Sequence, residues 1–442
     1  MKIKMTSLFL CAVLLLSGLL LTGCGGKDED IYLLNFKPEV ASVYEEIARA
    51  YEKETGVSVR VVTAASGTYE QTLKSEISKS NAPTIFQING PKGYASWKNY
   101  CADLSDTELY KHLSDKSGAI TEGDAVYGIP YVVEGYGIIY NETLTDRYFA
   151  LTNRKTTYNS MDEIKSFEAL KAVVEDMTAH KAELGIEGVF AATSLKSGED
   201  WRWHTHLANL PIYKEFEDKG IEWSADKGTD TIDFTYAQNF KNLFDLYINN
   251  STVKPSLLGS YQVADSMAEF ATGKCVMVQN GNWAYSQIRD VQGNVVKADE
   301  IGYLPLYMGI EGEETMGLCI GTENYFAINK NASEDEQKKA EDFLYWLYSS
   351  DTGKKFVTEK LDFIAPFDTF DEGDRVSDPL GEEVADYMAE EDVRNIPWAF
   401  TVFPSQSFKE AFGSALLRYC QGSMTWDEVV KAFKDTWKSE AK

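Results

Sequence analysis

The sequence predicts an α/β protein built from two lobes. Near its start, an apolar strand, an amphipathic helix and a β-branched strand follow one another within about thirty residues, which is the pattern of a βαβ unit and a parallel sheet. Strand and helix patterns alternate to the end of the chain, without repeats or low-complexity segments. With 442 residues, the chain is too long for one ordinary core and suits two.

The first 23 residues predict a cleaved secretory signal. Lys2 and Lys4 form a positively charged start, and residues 8–21 are apolar apart from Ser17 and Gly18. This run is short for a membrane span of roughly 20 residues, and its flanks are those of a signal peptide. The alternative is an uncleaved membrane anchor.

The segment Leu21-Thr22-Gly23-Cys24 resembles the bacterial lipobox. The resemblance implies cleavage before Cys24, lipidation of its thiol and a protein held by the lipid at the outer face of the cell membrane. Residues 24–30 are small or charged and predict a flexible tether.

The strands and helices follow from hydrophobic spacing and turn signals. Strands are predicted over 31–36, 57–62, 84–88, 126–131, 137–140, 275–279 and 325–328. Helices are predicted over 40–55, 69–79, 166–182, 234–249, 408–419 and 426–437. Ser333-Glu334-Asp335-Glu336 is a capping box that opens one more helix, and Asp351-Thr352-Gly353 is predicted to close it.

The charge balance excludes some functions. Removal of the signal takes away two lysines and changes the net charge from −26 to −28. Such an acidic chain repels phosphate backbones, so nucleic-acid binding is not expected. A bulk anionic substrate is also disfavoured, although a local basic pocket can override the overall charge.

The cysteines do not suggest a metal cluster. Cys101, Cys275, Cys319 and Cys420 are far apart in sequence and form no CxxC pair. Buried free thiols are expected, with one or two disulfides as the alternative.

No catalytic motif is evident. The sequence lacks GxSxG, HExxH, GxGxxG and GxxxxGK. His204-Thr205-His206 would place two rings on one side of a strand and allow a metal site, but the pair is weak evidence alone. Acidic neighbours such as Glu199-Asp200 leave a two-carboxylate glycosidase mechanism open.

Aromatic residues give the most informative pattern. Trp201, Trp203, Trp283 and Trp398 lie beside Gly, Pro or Asn rather than within predicted helices. Ligands of open α/β sheets bind outside the carboxyl ends of strands. An aromatic ring there, beside amides and carboxylates, suits a neutral polyhydroxylated ligand; the alternative for each Trp is a place in the core.

Several segments resemble, in order, the extracellular solute-binding proteins (family 1) of ABC importers, in the sugar-binding branch that includes maltose-binding protein. The matching segments are 50–57 (AYEKETGV), 83–87 (PTIFQ), 129–131 with 137–141 (IPY and GIIYN), 278–283 (VQNGNW), 302–305 (GYLP) and 340–353.

This resemblance implies the periplasmic-binding-protein-like type II fold. Two α/β lobes of discontinuous segments would be joined by a hinge and would close on a ligand between them. The implied N-lobe comprises 31–132 and 310–358, and the implied C-lobe comprises 137–305 and 362–442.

The resemblance also implies ligand contacts. Glu134 matches a crossover carboxylate, Trp283 matches the ring after Asn-Gly, and Gln87 and Pro38 depart from the residues found in maltose-binding protein. Glu134 as a hinge brace and Phe403 as a core residue are the alternatives. The candidate ligand-binding residues are Phe36, Gln87, Asn89, Gly90, Glu134, Trp201, Trp203, His204, Asn280, Trp283, Trp398 and Phe403.

The function implied is that of a lipid-anchored, monomeric substrate-binding subunit of an ABC importer. It would bind a sugar or oligosaccharide and deliver it to permease subunits, without catalysis, metal or cofactor. A surface glycoside hydrolase and a lipoprotein that binds a metal or another solute are the alternatives.

Overall fold

The computed structural model describes residues 29–65 and 67–441. The predicted signal, Cys24 and most of the tether lie outside the described residues. Within the described ranges, no helix combines the length and apolar character that crossing a membrane requires.

The strands occur close to their predicted positions. They are β1 (Ile31–Asn35), β2 (Val59–Thr63), β3 (Ile85–Asn89), β4 (Ile120–Glu122), β5 (Ala125–Pro130), β6 (Glu134–Asn141), β7 (Met277–Gly281), β8 (Ile301–Leu304), β9 (Met316–Gly321), β10 (Asn324–Ile328) and β11 (Arg394–Ile396).

Helices cover the faces of the strands. They are α1 (Ala41–Thr55), α2 (Tyr69–Glu76), α3 (Gly90–Trp97), α4 (Glu108–Lys111), α5 (Glu142–Phe149), α6 (Phe167–Ala179), α7 (Lys181–Leu184), α8 (Ala208–Asp218), α9 (Ala237–Asn249), α10 (Val263–Ala271), α11 (Ala284–Arg289), α12 (Glu334–Ser349), α13 (Asp351–Glu359), α14 (Pro379–Ala389), α15 (Gln406–Cys420) and α16 (Trp426–Glu440). A π-helix, Arg202–Leu207, leads into α8. Short 3-10 turns lie at Pro38–Val40, Lys116–Gly118, Met161–Glu163, Trp223–Ala225, Pro255–Ser260, Glu313–Thr315, Glu372–Asp374 and Ala399–Val402.

The N-lobe is built on a six-stranded sheet in the order β2-β1-β3-β10-β5-β4. The βαβ prediction is confirmed, because β1 is parallel to both β2 and β3. Ile31 and Leu33 belong to one apolar core and Tyr32 and Leu34 to another. β1 is therefore covered on both faces, as its unbroken apolar sequence requires.

The C-lobe is built on a second sheet in the order β11-β9-β6-β7, with β8 also paired to β6. β6 is antiparallel to β7, β8 and β9, whereas β11 is parallel to β9, so this sheet is mainly antiparallel. Apolar cores cover both faces, with Ile138 on one side and Ile139 on the other.

Three crossings run side by side between the sheets. Val133 donates its N–H to the carbonyl oxygen of Ile364 at 2.8 Å, and the Thr322 hydroxyl donates to the carbonyl oxygen of Val132 at 2.8 Å. This places the chain segments 131–133, 322–323 and 361–365 together as the connection between the lobes. β9 pairs in the second sheet, so the chain returns to the N-lobe after Gly321 rather than near residue 310.

Two local predictions need correction. The Ser333–Glu336 capping box is present at the start of α12, but Asp351-Thr352-Gly353 begins α13 instead of only ending α12. The Ser350 hydroxyl accepts the N–H of Gly353 and so caps that new helix. The segment predicted as a His204–His206 strand is the π-helix.

The cysteines of the described residues are free thiols. Cys101, Cys275 and Cys319 are buried, as expected, while Cys420 is half-buried.

Candidate ligand-binding cleft

The carboxyl ends of β1 and β3 face the C-lobe across a closed cleft. Gly90, at the end of β3, has a positive φ of 57°, and a Cβ there would lie 2.9 Å from Cβ of Thr401 in the other lobe. Lys92 of α3 forms an ion pair of 2.6 Å with Asp226 of the C-lobe. The two lobes therefore touch directly in this conformation.

The space left between the lobes is small. A cavity of about 10 Å³ lies in the cleft, roughly the volume that one water molecule needs. It is lined by Glu39, Val40, Glu134, Asn282, Trp283, Ser286, Leu361, Asp362 and Phe363. A ligand of sugar size therefore requires the lobes to move apart.

A larger cavity of about 350 Å³ lies beside the third crossing. Its lining comes from residues 363–386, on the crossing segment and α14. None of the candidate ligand-binding residues lines this cavity. Its larger volume is therefore no reason to assign it as part of the ligand-binding cleft.

The N-lobe face of the cleft is organised by Gln87. Its side-chain oxygen accepts the N–H of Phe36 at 2.6 Å, and its side-chain nitrogen donates to the Tyr131 hydroxyl at 3.3 Å. Both polar ends of Gln87 are thus used within the protein. Asn89 is half-buried, and its side-chain oxygen has no partner among the described residues.

Glu134, at the start of β6, is held by a lysine. Lys37 Nζ lies 2.7 Å and 2.9 Å from the two carboxylate oxygens of Glu134, and 3.7 Å from Glu39. Burial opposes the charge on Lys37, but the two carboxylates raise its pKa above the usual range. Burial raises the pKa of Glu39. The pair joins the N-lobe to the crossing, which is the position of a hinge brace.

A second cation lies across the cleft. Burial lowers the pKa of Lys409 on α15, and the charges of Glu323 and Glu70 oppose that shift. Glu323 lies in the second crossing and Glu70 on α2, so this group also connects elements of both lobes.

The C-lobe side of the cleft is a cluster of aromatic rings, here called the aromatic floor. Its members are Tyr136, Trp201, His206, Trp283, Trp398 and Phe400. The His206 ring stacks on Tyr136 at 4.1 Å and meets Trp201 at 4.8 Å and Trp283 at 5.4 Å. Trp201 and Trp283 are half-buried, so these two rings are the exposed part of the floor.

Gly281 explains the position of Trp283. A Cβ at residue 281 would lie 2.1 Å from the indole ring, so the ring lies directly on the end of β7. The Asn-Gly-Asn-Trp sequence thus ends the strand, leaves room for the ring and places the indole at the cavity between the lobes.

His206 is neutral in this setting. Its burial, together with the charges of Arg202, His204, Lys409 and Lys37, lowers the pKa of its ring well below the usual range. Its Nδ1 atom is buried without a hydrogen-bond partner among the described residues.

Other candidate residues lie deeper. The Trp203 indole N–H donates to the carbonyl oxygen of Ser194, and its ring packs on Phe244 and Tyr247. Phe403 is 2% exposed and packs on Phe408 and Trp437.

Asn280, His204 and Trp398 also have internal contacts. The Asn280 side-chain oxygen accepts the N–H of Gly281, and His204 lies 3.5 Å from the Asp200 carboxylate. Trp398 donates to the carbonyl oxygen of Cys319. These placements favour packing for Trp203, Phe403 and Asn280, and a supporting position for Trp398.

The two histidines of the HxH segment diverge. His204 contacts Asp200, and a Cβ on Gly413 would lie 3.2 Å from its ring, whereas His206 joins the aromatic floor. In the part of the chain that the structure describes, no group of three or more His, Cys, Asp or Glu side chains is arranged to hold a metal.

Sequence reasoning missed three cleft residues, Lys37, Tyr136 and Phe400, and considered His206 only as a metal ligand. Lys37 directly precedes Pro38, and only the fold brings it to Glu134. Tyr136 and His206 are separated by 70 positions, so their stacking has no local signature.

Comparison with known proteins gives a family match. A family model described as bacterial extracellular solute-binding protein matches residues 46–381. No curated protein matches the chain.

Solved structures share the fold. A chitin oligosaccharide binding protein is 18% identical with a TM-score of 0.70, over 93% of this chain and 98% of that one. The solute-binding protein RafE in complex with raffinose is 16% identical with a TM-score of 0.71, over 93% and 99%. A sugar transporter from Bacillus licheniformis in complex with stachyose is 17% identical with a TM-score of 0.66, over 92% and 99%.

Proposed function

The chain belongs to the bacterial extracellular solute-binding proteins, and from that premise we propose that it binds a sugar or oligosaccharide between its lobes and delivers it to the permease of an ABC importer. Members of this family bind solutes rather than transform them, so the protein is a binding subunit and not an enzyme. The family also works outside the cytoplasm, which is the location that the predicted secretory signal implies.

The observation that carries the sugar assignment is the pair of indole rings at the cleft. Trp283 lines the cavity between the lobes. The centres of the Trp201 and Trp283 rings are 6.1 Å apart, and the ring planes make an angle of 48°. Aromatic rings provide rigid apolar faces against which the C–H face of a sugar packs. Glu39, Asn282 and Ser286 line the same cavity and supply hydrogen-bonding groups for hydroxyls.

Binding requires a hinge motion. The cavity in the closed state has room for about one water molecule, while the three crossings form a narrow connection on one side of the cleft. Rotation about these crossings admits the ligand, and closure then surrounds it.

Lipid anchoring at Cys24 is part of the proposal. It rests on the lipobox resemblance, the signal and the small, charged residues 24–30. Replacement Cys24→Ala should move the protein from the membrane fraction to the culture medium, because the lipid would be the attachment. The measurement is immunoblotting of both fractions, and ligand affinity should match that of the wild type. Membrane retention of Cys24→Ala would contradict the anchor.

A thermal-shift panel tests the sugar assignment. The panel includes raffinose, stachyose, maltose and oligosaccharides of chitin and xylan. A ligand that binds only the folded state adds about 2.7 kcal/mol of stability at a hundredfold excess over Kd. A rise in melting temperature with a saccharide is expected; a rise only with peptides, amino acids or metal ions would refute the assignment.

Trp283→Ala tests the site itself. Loss of the ring should weaken saccharide binding by about 1–3 kcal/mol, on the scale measured for stacking on nucleic-acid bases, or roughly five- to 150-fold. The matched control is Trp346→Ala, on α12 of the N-lobe, where the indole packs on Tyr51 and Phe343. Equal affinity of the two variants, measured by calorimetry, would show that Trp283 is not a sugar platform.

A further inference from the structure

The charge of Arg202 is buried without a protein partner. The residue is 0% exposed, and Nε, Nη1 and Nη2 all lack hydrogen-bond partners among the described residues. The guanidinium carbon lies 4.0 Å from the centre of the Trp201 ring, so the charge lies against one of the rings of the aromatic floor. A guanidinium removed from water is unfavourable unless an opposite charge or acceptors meet it.

The neighbouring protein groups do not supply that opposite charge. The charge of Glu199 acts to raise the pKa of Arg202, but a carboxylate oxygen of Glu199 accepts the N–H of Val263 at 2.7 Å. The Tyr247 hydroxyl also acts on Arg202, but it is neutral and accepts the backbone N–H of Gln279 at 3.2 Å.

Gln279, whose backbone N–H bonds to the Tyr247 hydroxyl, carries a second unpartnered polar side chain. It is 1% exposed, and neither its side-chain oxygen nor its side-chain nitrogen has a partner among the described residues. Arg202 and the Gln279 amide together offer several N–H donors. A carboxylate, with two oxygens in one plane, is the group that such donors and a forked guanidinium bind best.

The local electrostatics also favour an anion. Burial is the main cause of the lowered pKa of His206, and four nitrogen groups lower it further: those of Arg202, His204, Lys409 and Lys37. Burial lowers the pKa of Arg202 itself to about 9, which measures how poorly its charge is compensated. This potential exists in a chain whose net charge is −26. Lys37 has carboxylate neighbours in Glu134 and Glu39, and Lys409 in Glu323 and Glu70, so Arg202 is the cation of this group that lacks a hydrogen-bonded partner among the described residues.

We propose that the ligand is an acidic saccharide, and that its carboxylate binds to Arg202 with the Gln279 amide as a further donor. This inference rests on the proposed function and narrows its ligand class from sugars in general to those that carry a carboxylate. Trp201 then has two roles, as a ring on which the sugar packs and as the cover of the guanidinium.

Opening of the lobes provides a route to Arg202. Trp201 stands at the start of the π-helix, three residues after Gly198, and a Cβ on Gly67 of the N-lobe would lie 2.7 Å from the Gly198 carbonyl oxygen. The segment that carries Trp201 is therefore pressed against the other lobe in the closed state. Separation of the lobes frees that segment, and a shift of the Trp201 ring exposes the guanidinium to the cleft.

The test compares acidic saccharides with their uncharged methyl esters. Trisaccharides of galacturonate, glucuronate and mannuronate are titrated by calorimetry beside their methyl esters, with sodium acetate and sodium chloride as free anions. At least one acid should bind the wild type ten times or more tightly than its ester.

Arg202→Met should bring the ratio of acid to ester affinity close to one. Arg202→Lys keeps the charge but loses the fork, and should give an intermediate ratio. Arg289→Met is the matched control, because Arg289 is paired with Asp290 and does not line the cavity between the lobes, and it should keep the wild-type ratio. Arg202→Met should fold, since it removes an unpaired buried charge and keeps an unbranched side chain.

The other outcomes separate this inference from the proposed function. Equal binding of acids and esters, or binding of neutral panel sugars only, overturns the acidic ligand and leaves the sugar-binding function intact. If acetate or chloride alone stabilises the wild type but not Arg202→Met, while acids and esters bind equally, the site holds a free anion and the saccharide carboxylate is excluded. If no saccharide of either kind binds, the proposed function fails and the inference with it.

Discussion

Glu134 shows how neighbours decide what a residue in the cleft can do. The family resemblance implies a ligand contact for this carboxylate, yet in the closed state both of its oxygens are held by Lys37. The side chains of Lys37 and Glu134 are 6% and 4% exposed. The pair is therefore a buried ion pair at the junction of the lobes, where each charge depends on the other.

Removal of either charge should destabilise the protein. Lys37→Met or Glu134→Gln leaves the other group buried without its partner, at a cost of about 3–5 kcal/mol. The double variant should lose clearly less than the sum of the two, because neither charge is then stranded. Urea unfolding followed by tryptophan fluorescence measures all three changes.

Lys431→Met is the control for that cycle. Lys431 pairs with Asp435 on the surface of α16, where both side chains are well exposed. Its loss should leave the unfolding midpoint nearly unchanged. Additive effects of the Lys37 and Glu134 substitutions would mean that the two charges do not depend on each other.

Single residues differ in how far the sequence predicts them. The position of the Trp283 ring at the end of a strand could be predicted from the Asn-Gly before it. The strand end, the small residue and the ring are neighbours in the chain. Phe403 has a similar local setting, but it packs on Trp437 from the last helix. Whether a ring lies in the cleft or in the core depends on such distant partners, which local spacing does not encode.

At the scale of elements, α14 has an unusual beginning. Asp378 caps it by accepting the N–H of Gly381 at 2.8 Å through one oxygen, while its other oxygen is buried without a partner among the described residues. Asp378 is 4% exposed. Burial, with a smaller effect of Asp362, raises its pKa from 3.8 to about 7.

The raised pKa predicts a pH dependence of stability. The folded state holds the Asp378 proton more tightly than the unfolded chain does. The stability that this bound proton contributes is therefore fully present below about pH 4 and is lost as pH rises towards 7. Asp378→Asn keeps the cap but cannot lose a proton. The stability of the wild type relative to this variant should therefore fall as pH rises from 4 to 7.

Melting temperatures between pH 4 and 8 measure that difference. Asp371→Asn serves as the control, since Asp371 also caps a short helix through the N–H of Gly373 but is exposed. Its profile should run parallel to that of the wild type. Parallel profiles for Asp378→Asn as well would refute the assignment of the proton to Asp378.

The elements that the sequence predicted well are those with a local cause. β1, α1 and β2 follow from apolar runs and from Gly56, whose φ of 78° ends the helix. The capping box of α12 is likewise a contact within four residues. The antiparallel pairing of β6 with β7, β8 and β9 joins segments more than 130 residues apart, and no spacing rule predicts it. The π-helix at Arg202–Leu207 was also missed; all of its residues are buried, and no local spacing marks it in the sequence.

At the scale of the whole molecule, closure of the lobes rests partly on charge. Lys92 on α3 and Asp226 in the C-lobe form a pair of 2.6 Å, with side chains 30% and 29% exposed. Gly90 and Thr401 pack beside this pair without space for a further methyl group. The closed state of the protein is thus stabilised by contacts between the lobes themselves, before any ligand contributes.

Lys92→Ala should shift the protein towards the open state. A partly exposed pair contributes about 0.2–1 kcal/mol, so its loss multiplies the ratio of open to closed molecules by up to roughly fivefold. Because a sugar enters only the open form, its association rate should rise by up to the same factor wherever the closed form predominates. Small-angle scattering of the ligand-free protein should show a larger radius of gyration, and stopped-flow tryptophan fluorescence measures the rate.

High salt should produce part of the same change in the wild type, since it screens the pair. Lys214→Ala is the matched control, because its partners Glu217 and Asp218 lie on the same helix of one lobe. If Lys92→Ala has the scattering curve and association rate of Lys214→Ala, the Lys92–Asp226 pair does not hold the lobes together, and closure then depends on the other contacts between the lobes, such as those at Gly90 and Gly67.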